Sequence, residues 1–550
     1  MSLKSTASES AVRVAVDVRR LPWVRRLAAD YAYDFPAVAP FFAGNPAEPA
    51  AWAAAIRRTQ AHERRRREIA TIIAAQQQRR GAPSAAQRAA GSLADPKTVA
   101  VVTGQQAGLF GGPLFTLFKA LTALKLAREV SHRHEVPVVA VFWIDAEDHD
   151  WNEVRTCTVL DEAMAPRRVA LPPRASAAPV PVASVRLDDS VAAAIDELEA
   201  ALPATEFRAG LISGLRDAYA PGVGMVEAFA RWLEQVLGSR GLVVYDASDP
   251  ASKPLASQVF ARELTTGETA RRAAAAGVAL QARGYHSQVT AQDEALALFR
   301  LDAAGRRAIR RQDGLFVVGD DRVPQADLVG EAAERPSGFS PNVLLRPVVQ
   351  DTIFPTIAYI AGPSELAYLG QLRGVYDHFG VPMPLMYPRA TATLVDAGAA
   401  RFIAKYDVSL EALQPQDEAA LNELLLTQIP PEVEASFAAA ADAVAAGMAR
   451  VTGAVPAIDP TLEGAARSTL GRMRHDLDTL RNKMLQAAKR RDETLRRQFS
   501  RTRALAFPNG HAQEREIGFV SFLNQYGPAL VERLEAELPL ELGRHWIVTI

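Results

Sequence analysis

Apolar residues recur along this chain with three different spacings, and the changes of spacing divide it. Residues 99–102 are a short β-branched run of the kind that forms a strand buried on both faces. The runs 137–144, 241–246, 342–349, 355–361 and 383–387 read the same way. Pro113 is placed to open a helix carrying Leu117, Leu121, Leu124 and Leu126 between the first two strands. Gly362-Pro363-Ser364-Glu365, turn formers followed by an acid, predicts a second helix start running to about Phe379. Strands alternating with helices define an α/β protein with a parallel sheet.

Elsewhere the spacing is helical or alternating. Residues 1–97 read as mostly helical, with loops at 35–46 and 81–84, and as packing on the core. The basic run 64–67 belongs to a helix with Ile69, Ile72 and Ile73, and reads as its solvated face. Residues 98–250 hold the first half of the sheet domain and 341–400 the second. Between them, 251–340 is an insertion, with 298–301, a turn at 302–305 and 315–318 predicting a small antiparallel meander. From 401 to 550 the chain reads as helical, with a coiled coil over about 432–505. There Ala466, Leu470, Met473, Leu477, Leu480, Met484 and Ala487 follow alternating steps of four and three, a heptad seam. Phe437, Ala441, Val444, Met448 and Val451 repeat it before a turn near Pro456, which predicts an antiparallel hairpin. Past Ala487 the seam decays to Arg491 and Thr494, or shifts by one to Leu495. The spacing fits closure within one chain or between two protomers equally.

Composition narrows the function classes. At 550 residues several domains are expected, and 49% hydrophobic with 23% charged residues is ordinary for a globular protein. A formal net charge of −1 gives no field favouring nucleic acid or an anionic membrane. No apolar run reaches the ~18 residues of a membrane span. The N-terminus, with Lys4, Glu9, Arg13, Asp17 and Arg19, lacks the apolar stretch of a signal peptide. A single cysteine, Cys157, excludes an internal disulfide and fits a reducing cytoplasm; its apolar setting reads as a buried small side chain.

Candidate chemistry gathers where the strands end. Thr103-Gly104-Gln105-Gln106-Ala107-Gly108-Leu109-Phe110-Gly111-Gly112-Pro113 joins a strand to a helix, and Asp145-Ala146-Glu147-Asp148-His149-Asp150 follows the next strand. A helical crossover puts both loops at one sheet edge, where α/β proteins bind ligands. The first loop matches neither dinucleotide fingerprint nor P-loop, but Gln105 and Gln106 offer amides to a polar small molecule. The second crowds carboxylates around an imidazole, so mutual repulsion raises their pKa values and suits a proton acceptor. The same residues could hold a divalent ion with a nucleotide, whereas no second cluster has zinc-ligand spacing, and no dedicated metal site is expected. Asn342, Arg346, Gln350 and Asp351 fall on or after a strand, and an Arg between Leu345 and Pro347 needs a carboxylate partner, from substrate or protein. Glu365, Tyr368 and Arg389 end on the same inferred edge.

These segments together resemble the bacillithiol biosynthesis cysteine-adding enzyme family, a set of cysteine ligases. The matching stretches include Val101 through Phe110, Phe142-Trp143-Ile144 with the acidic loop, Leu345-Arg346-Pro347-Val348-Val349-Gln350-Asp351, Gly362 through Tyr368, Phe507-Pro508-Asn509-Gly510, and Gln513-Glu514-Arg515 on to Asn524. The Gly111-Gly112 pair is more glycine-rich than the family pattern. The resemblance implies a Rossmann-like core with inserted connecting segments and a coiled coil that pairs two copies. It implies the last step of bacillithiol assembly, in which the carboxyl of L-cysteine acylates the sugar amine of glucosaminyl-malate. Amide formation from a free carboxylate needs activation, so ATP or ADP with Mg2+, or another driving step, is expected. His149, with Glu147, Asp148 and Asp150, is the candidate catalytic group. Gly104, Gln105, Gln106, Phe110, Asn342, Arg346, Gln350, Glu365, Tyr368 and Arg389 are the candidate substrate contacts. Two other readings share the pattern: a nucleotidyltransferase-like enzyme for another sugar or amino acid, and a non-catalytic coiled-coil assembly protein.

Overall fold

The apolar runs assemble into one parallel sheet. Its strands are β1 (Val99–Gln105), followed by helix α1 (Leu114–His134), β2 (Val138–Ile144) and β3 (Val243–Asp246). The second half follows as α2 (Arg346–Ile353), β4 (Thr356–Ala361), α3 (Glu365–Leu369) and β5 (Leu385–Pro388). The order across the sheet is β5-β4-β1-β2-β3, every neighbour parallel. Strand order reverses at β1, between β2 on one side and β4 on the other, which is the doubly wound pattern. β1 is buried along its apolar length and α1 is buried along most of its own, so the centre of the sheet is dry. The fold is therefore α/β, as its alternating pattern predicts, with the Rossmann-like core that the family resemblance implies.

The computed structural model describes residues 13–174, 180–289, 294–302, 305–427, 431–491 and 493–550. Lys4, Glu9 and the middle of the 302–305 turn lie outside them. Two compact units form, one from the chain up to Thr393 together with Gln513–Val548, the other from Leu394–Ala512 with the last two residues. In the first unit, the inserted segment builds a five-stranded antiparallel sheet from 295–302, 305–312, 315–318, 321–324 and 339–341. Residues 513–548 join this unit rather than the helical one, and Arg544–Thr549 is a strand whose Trp546 pairs with Ala15.

Three local expectations are corrected. Residues 342–349 do not form a strand: the Asn342 side chain accepts the N–H groups of Leu344 and Leu345, and α2 then runs from Arg346 to Ile353. Pro347 supplies helical φ in the first turn, which outweighs the β-branched Val348 and Val349. Nor is 64–67 a solvated face. Arg64 precedes the helix Arg66–Arg80 and donates to the Asp351 carbonyl at 3.0 and 3.1 Å, while buried Arg66 donates to the Thr98 carbonyl at 2.7 Å. Only Arg65 and Arg67 face water. The predicted helix to Phe379 is two pieces, α3 and Arg373–Phe379.

In the second unit, α4 (Pro431–Ala454) and α5 (Glu463–Arg491) run antiparallel, since Arg481 pairs with Glu434 at 3.2 Å across the hairpin. Ala466 is buried, but Met473, Leu480 and Met484 of the same seam stay 42%, 51% and 38% exposed.

Candidate functional site

A cavity of about 580 Å³ opens at the carboxyl edge of the sheet, between the loops after β1 and β4. That is the topological switch point, where α/β folds bind ligands. Glycine makes the floor possible. A side chain at Gly104 would meet the Trp143 carbonyl at 2.8 Å, and one at Gly108 would meet Gly112 Cα at 2.9 Å. Gly111, at φ +95°, donates its N–H to the Tyr219 hydroxyl at 3.1 Å. The extra glycines thus serve a left-handed turn against packed aromatics.

Charges of alternating sign line the interior. Buried Lys119 of α1 pairs with Glu365 at 2.6 Å and donates to the Gly104 carbonyl at 2.8 Å and to Gln105 at 3.2 Å. Glu365 also accepts the Gly362 N–H at 2.6 Å and the hydroxyls of Tyr359 at 3.1 Å and Tyr368 at 3.4 Å. Burial alone would raise this carboxyl, but Lys119 and the Gly362 N–H outweigh it and hold it below the usual glutamate value. For Lys119 the balance is opposite: desolvation prevails and lowers its pKa. Arg346 donates to the Tyr368 hydroxyl at 3.2 Å and stands 3.4 Å from Asp145, the first residue after β2. Arg389 closes the far wall in a bidentate pair with Glu514 at 2.7 and 2.8 Å. Phe115 projects among three cations, with Lys119, Arg389 and Arg515 at 5.9, 5.5 and 5.9 Å from its ring centre. Arg168 and Arg515 also line the cavity, exposed, and neither guanidinium has a carboxylate within ion-pair distance among the described residues.

Of the residues singled out from sequence, Gly104, Gln105, Gln106, Arg346, Glu365, Tyr368 and Arg389 line this one cavity. The other candidate catalytic and substrate-binding residues stand outside its wall. Phe110, at φ 53°, is buried edge-on against Tyr219 with centroids 5.4 Å apart. Asn342 caps the turn into α2, and Gln350 donates to Asp351 at 3.0 Å. Burial pushes Asp351 up to about 6, despite the Tyr376 hydroxyl at 2.5 Å. Glu147 is locked in a buried ion pair with Lys253, and Asp150 caps a helical turn through the Glu153 N–H at 3.1 Å. Asp148 accepts from Gln106 and from the His149 N–H, whereas the His149 ring is 49% exposed. Cys157 lies in the cavity wall, its thiol pushed by burial up to about 12. Among the described residues no three His, Cys, Asp or Glu groups converge as metal ligands.

Sequence reasoning passed over Lys119, Tyr359, Glu153, Arg168 and Arg515. Lys119 had a readable signal, a lone lysine within an apolar helix, which cannot be buried without a partner. Tyr359 and Arg168 carried none, because only the tertiary fold turns them inward.

A switch-point cavity lined by paired and unpaired charges marks the chain as a Rossmann-like protein with a candidate small-molecule site. Comparison with known proteins narrows that class. Residues 15–390 match the family model described as the N-terminal Rossmann-like domain of bacillithiol biosynthesis BshC, and residues 392–550 match its C-terminal coiled-coil domain. The chain belongs to this family. A relative from Salinibacter ruber is 34% identical over 95% of this chain and 96% of its own; one from Symbiobacterium thermophilum is 35% identical over 82% and 84%. A third, from Chlorobaculum tepidum, is 33% identical over 82% of each chain. All three bear the name "Putative cysteine ligase BshC". Among the described residues no helix is long and apolar enough to cross a membrane.

Proposed function

We propose that this protein is a cysteine ligase that joins L-cysteine to the sugar amine of glucosaminyl-malate, the last step of bacillithiol biosynthesis. The observation that carries the reading is the switch-point cavity, which gathers residues from five of the motifs shared with the family and leaves two guanidiniums free at its mouth. Arg168 and Arg515 suit the two malyl carboxylates, because planar guanidinium donors match carboxylate oxygens. Gln105 and Gln106 lie beside them to accept and donate hydrogen bonds to sugar hydroxyls. Inside, Arg346 is poised near the carboxyl of cysteine, its Nε buried without a hydrogen-bond acceptor. His149 is linked to the cavity through Asp148 and Gln106.

Acylation of an amine by a carboxylate needs a leaving group, which ATP with Mg2+ would supply when bound. Arg168 and Arg515 are assigned to the malyl carboxylates, and among the described residues no set of metal ligands is gathered, so magnesium would arrive with the nucleotide. A free thiol substrate places the reaction in a reducing compartment, and we assign it to the cytoplasm.

Thiol metabolites in cells lacking this chain, with the intact gene restored as control, test the reading. Glucosaminyl-malate should accumulate while bacillithiol disappears, and restoration should reverse both. Unchanged bacillithiol in the deletion strain would overturn it.

A further inference from the structure

A carboxylate at a cavity floor normally collects donors, and Glu365 does so from four groups. Asp145 does not. It lies one residue beyond β2, fixed by its own N–H bond to the Gln105 carbonyl at 2.9 Å, and it lines both the main cavity and a small adjoining one beside Trp143 and Lys253. Its carboxylate accepts no hydrogen bond among the described residues. The nearest cation, Arg346 Nε, stands 3.4 Å away and is itself without an acceptor. With its side chain 33% exposed and its one ion pair lacking a hydrogen bond, the carboxylate keeps acceptor capacity for a donor entering the cavity.

We infer that Asp145 receives the nucleophilic amine of the substrate, binding it as an ammonium and then taking its proton. The assignment rests on the ligase reading above. One N–H bond of the ammonium breaks, an O–H bond forms on Asp145, and the nitrogen keeps the electron pair with which it attacks the acyl carbon. Three other acids line the same cavity and are less suited. Glu153 is exposed to water, Glu365 is already saturated, and Glu516 already has a partner. The electrostatic setting agrees with the geometry. Desolvation raises the Asp145 pKa, Arg346 and Arg306 lower it, and Asp148 and Glu147 raise it again, with a net upward shift that brings it closer to an amine's working range.

Calorimetric titration of the full-length protein with glucosaminyl-malate and with glucosyl-malate, which carries a hydroxyl in place of the amine, tests this. The wild-type protein should prefer the amine roughly 10- to 100-fold, the worth of a hydrogen bond between charged groups. Asp145→Asn should bind both ligands alike, at the wild-type affinity for glucosyl-malate, while Glu153→Gln keeps the preference. The wild-type protein alone gives a second readout, since its preference should fall as pH drops through the raised Asp145 pKa. Binding of both ligands with equal affinity, or a preference that survives Asp145→Asn or is flat with pH, would overturn the assignment of Asp145 and leave the ligase reading standing. Failure of the wild-type protein to bind either ligand would overturn both.

Discussion

Gly111 shows how strongly single backbone positions shape this site. Its φ of +95° is one that L side chains rarely adopt, and a Cβ there would lie 2.3 Å from the Phe519 ring and 3.0 Å from Trp232. Both strain and overlap oppose any side chain, so Gly111→Ala should cost on the order of 2–4 kcal/mol. Gly210 is the internal comparison, since a Cβ there meets nothing within 4 Å inside the helix Arg208–Ala218. Gly210→Ala should instead raise stability by roughly 0.5–1 kcal/mol through helix propensity. Denaturant unfolding of the two variants checks the pair, and equal effects would refute the argument. The site residues legible in sequence were those for which local chemistry sufficed: Gln105 and Gln106 in a polar loop, Arg346 amid apolar neighbours, Glu365 at a helix start. Glu147 and Asp150 misled for the same local reason. Their carboxylates are spent on Lys253 and on a helix cap, partners that no spacing along the chain reveals.

At the scale of elements, the loop after β5 is tied to the short helix Gln513–Glu516 by Arg389 and Glu514, both almost fully buried. Removing one partner strands the other's charge in an apolar setting, so Arg389→Met should destabilise by about 3–5 kcal/mol. Replacing both, as Arg389→Met with Glu514→Leu, should recover much of that loss, because no uncompensated charge remains. Melting of the single and double variants separates the outcomes; a double variant as unstable as the single would show that the lost hydrogen bonds, rather than the stranded charge, set the cost. Elements also show why sequence reading succeeds unevenly. β1, β2 and β4 are mostly apolar and buried on both faces, so composition alone declares them. α2 contains the same β-branched residues, yet the Asn342 cap and Pro347 decide its conformation. The strand Arg544–Thr549 went unread because its short alternating pattern follows a helical stretch, and its pairing with Arg13–Asp17 joins the two ends of the chain.

For the whole molecule, the hairpin of α4 and α5 poses the remaining question of self-association. Heptad spacing was visible in the sequence, but two helices cover only part of a seam. Val451, Ile458, Leu462, Met473, Leu480 and Met484 all stay substantially exposed, and they make up most of the exposed large apolar residues of the described chain. Isolated surface apolar groups are ordinary, but several following one heptad seam are the mark of a helical interface. The expected outcome is that the full-length protein sediments as a dimer at micromolar concentration. Met473→Glu with Leu480→Glu should shift it to monomer without changing its far-ultraviolet circular dichroism, because neither side chain is buried in the single chain. A wild-type protein that sediments as a monomer would show that the open seam serves another purpose. A double variant that remains dimeric would place the interface elsewhere on the molecule.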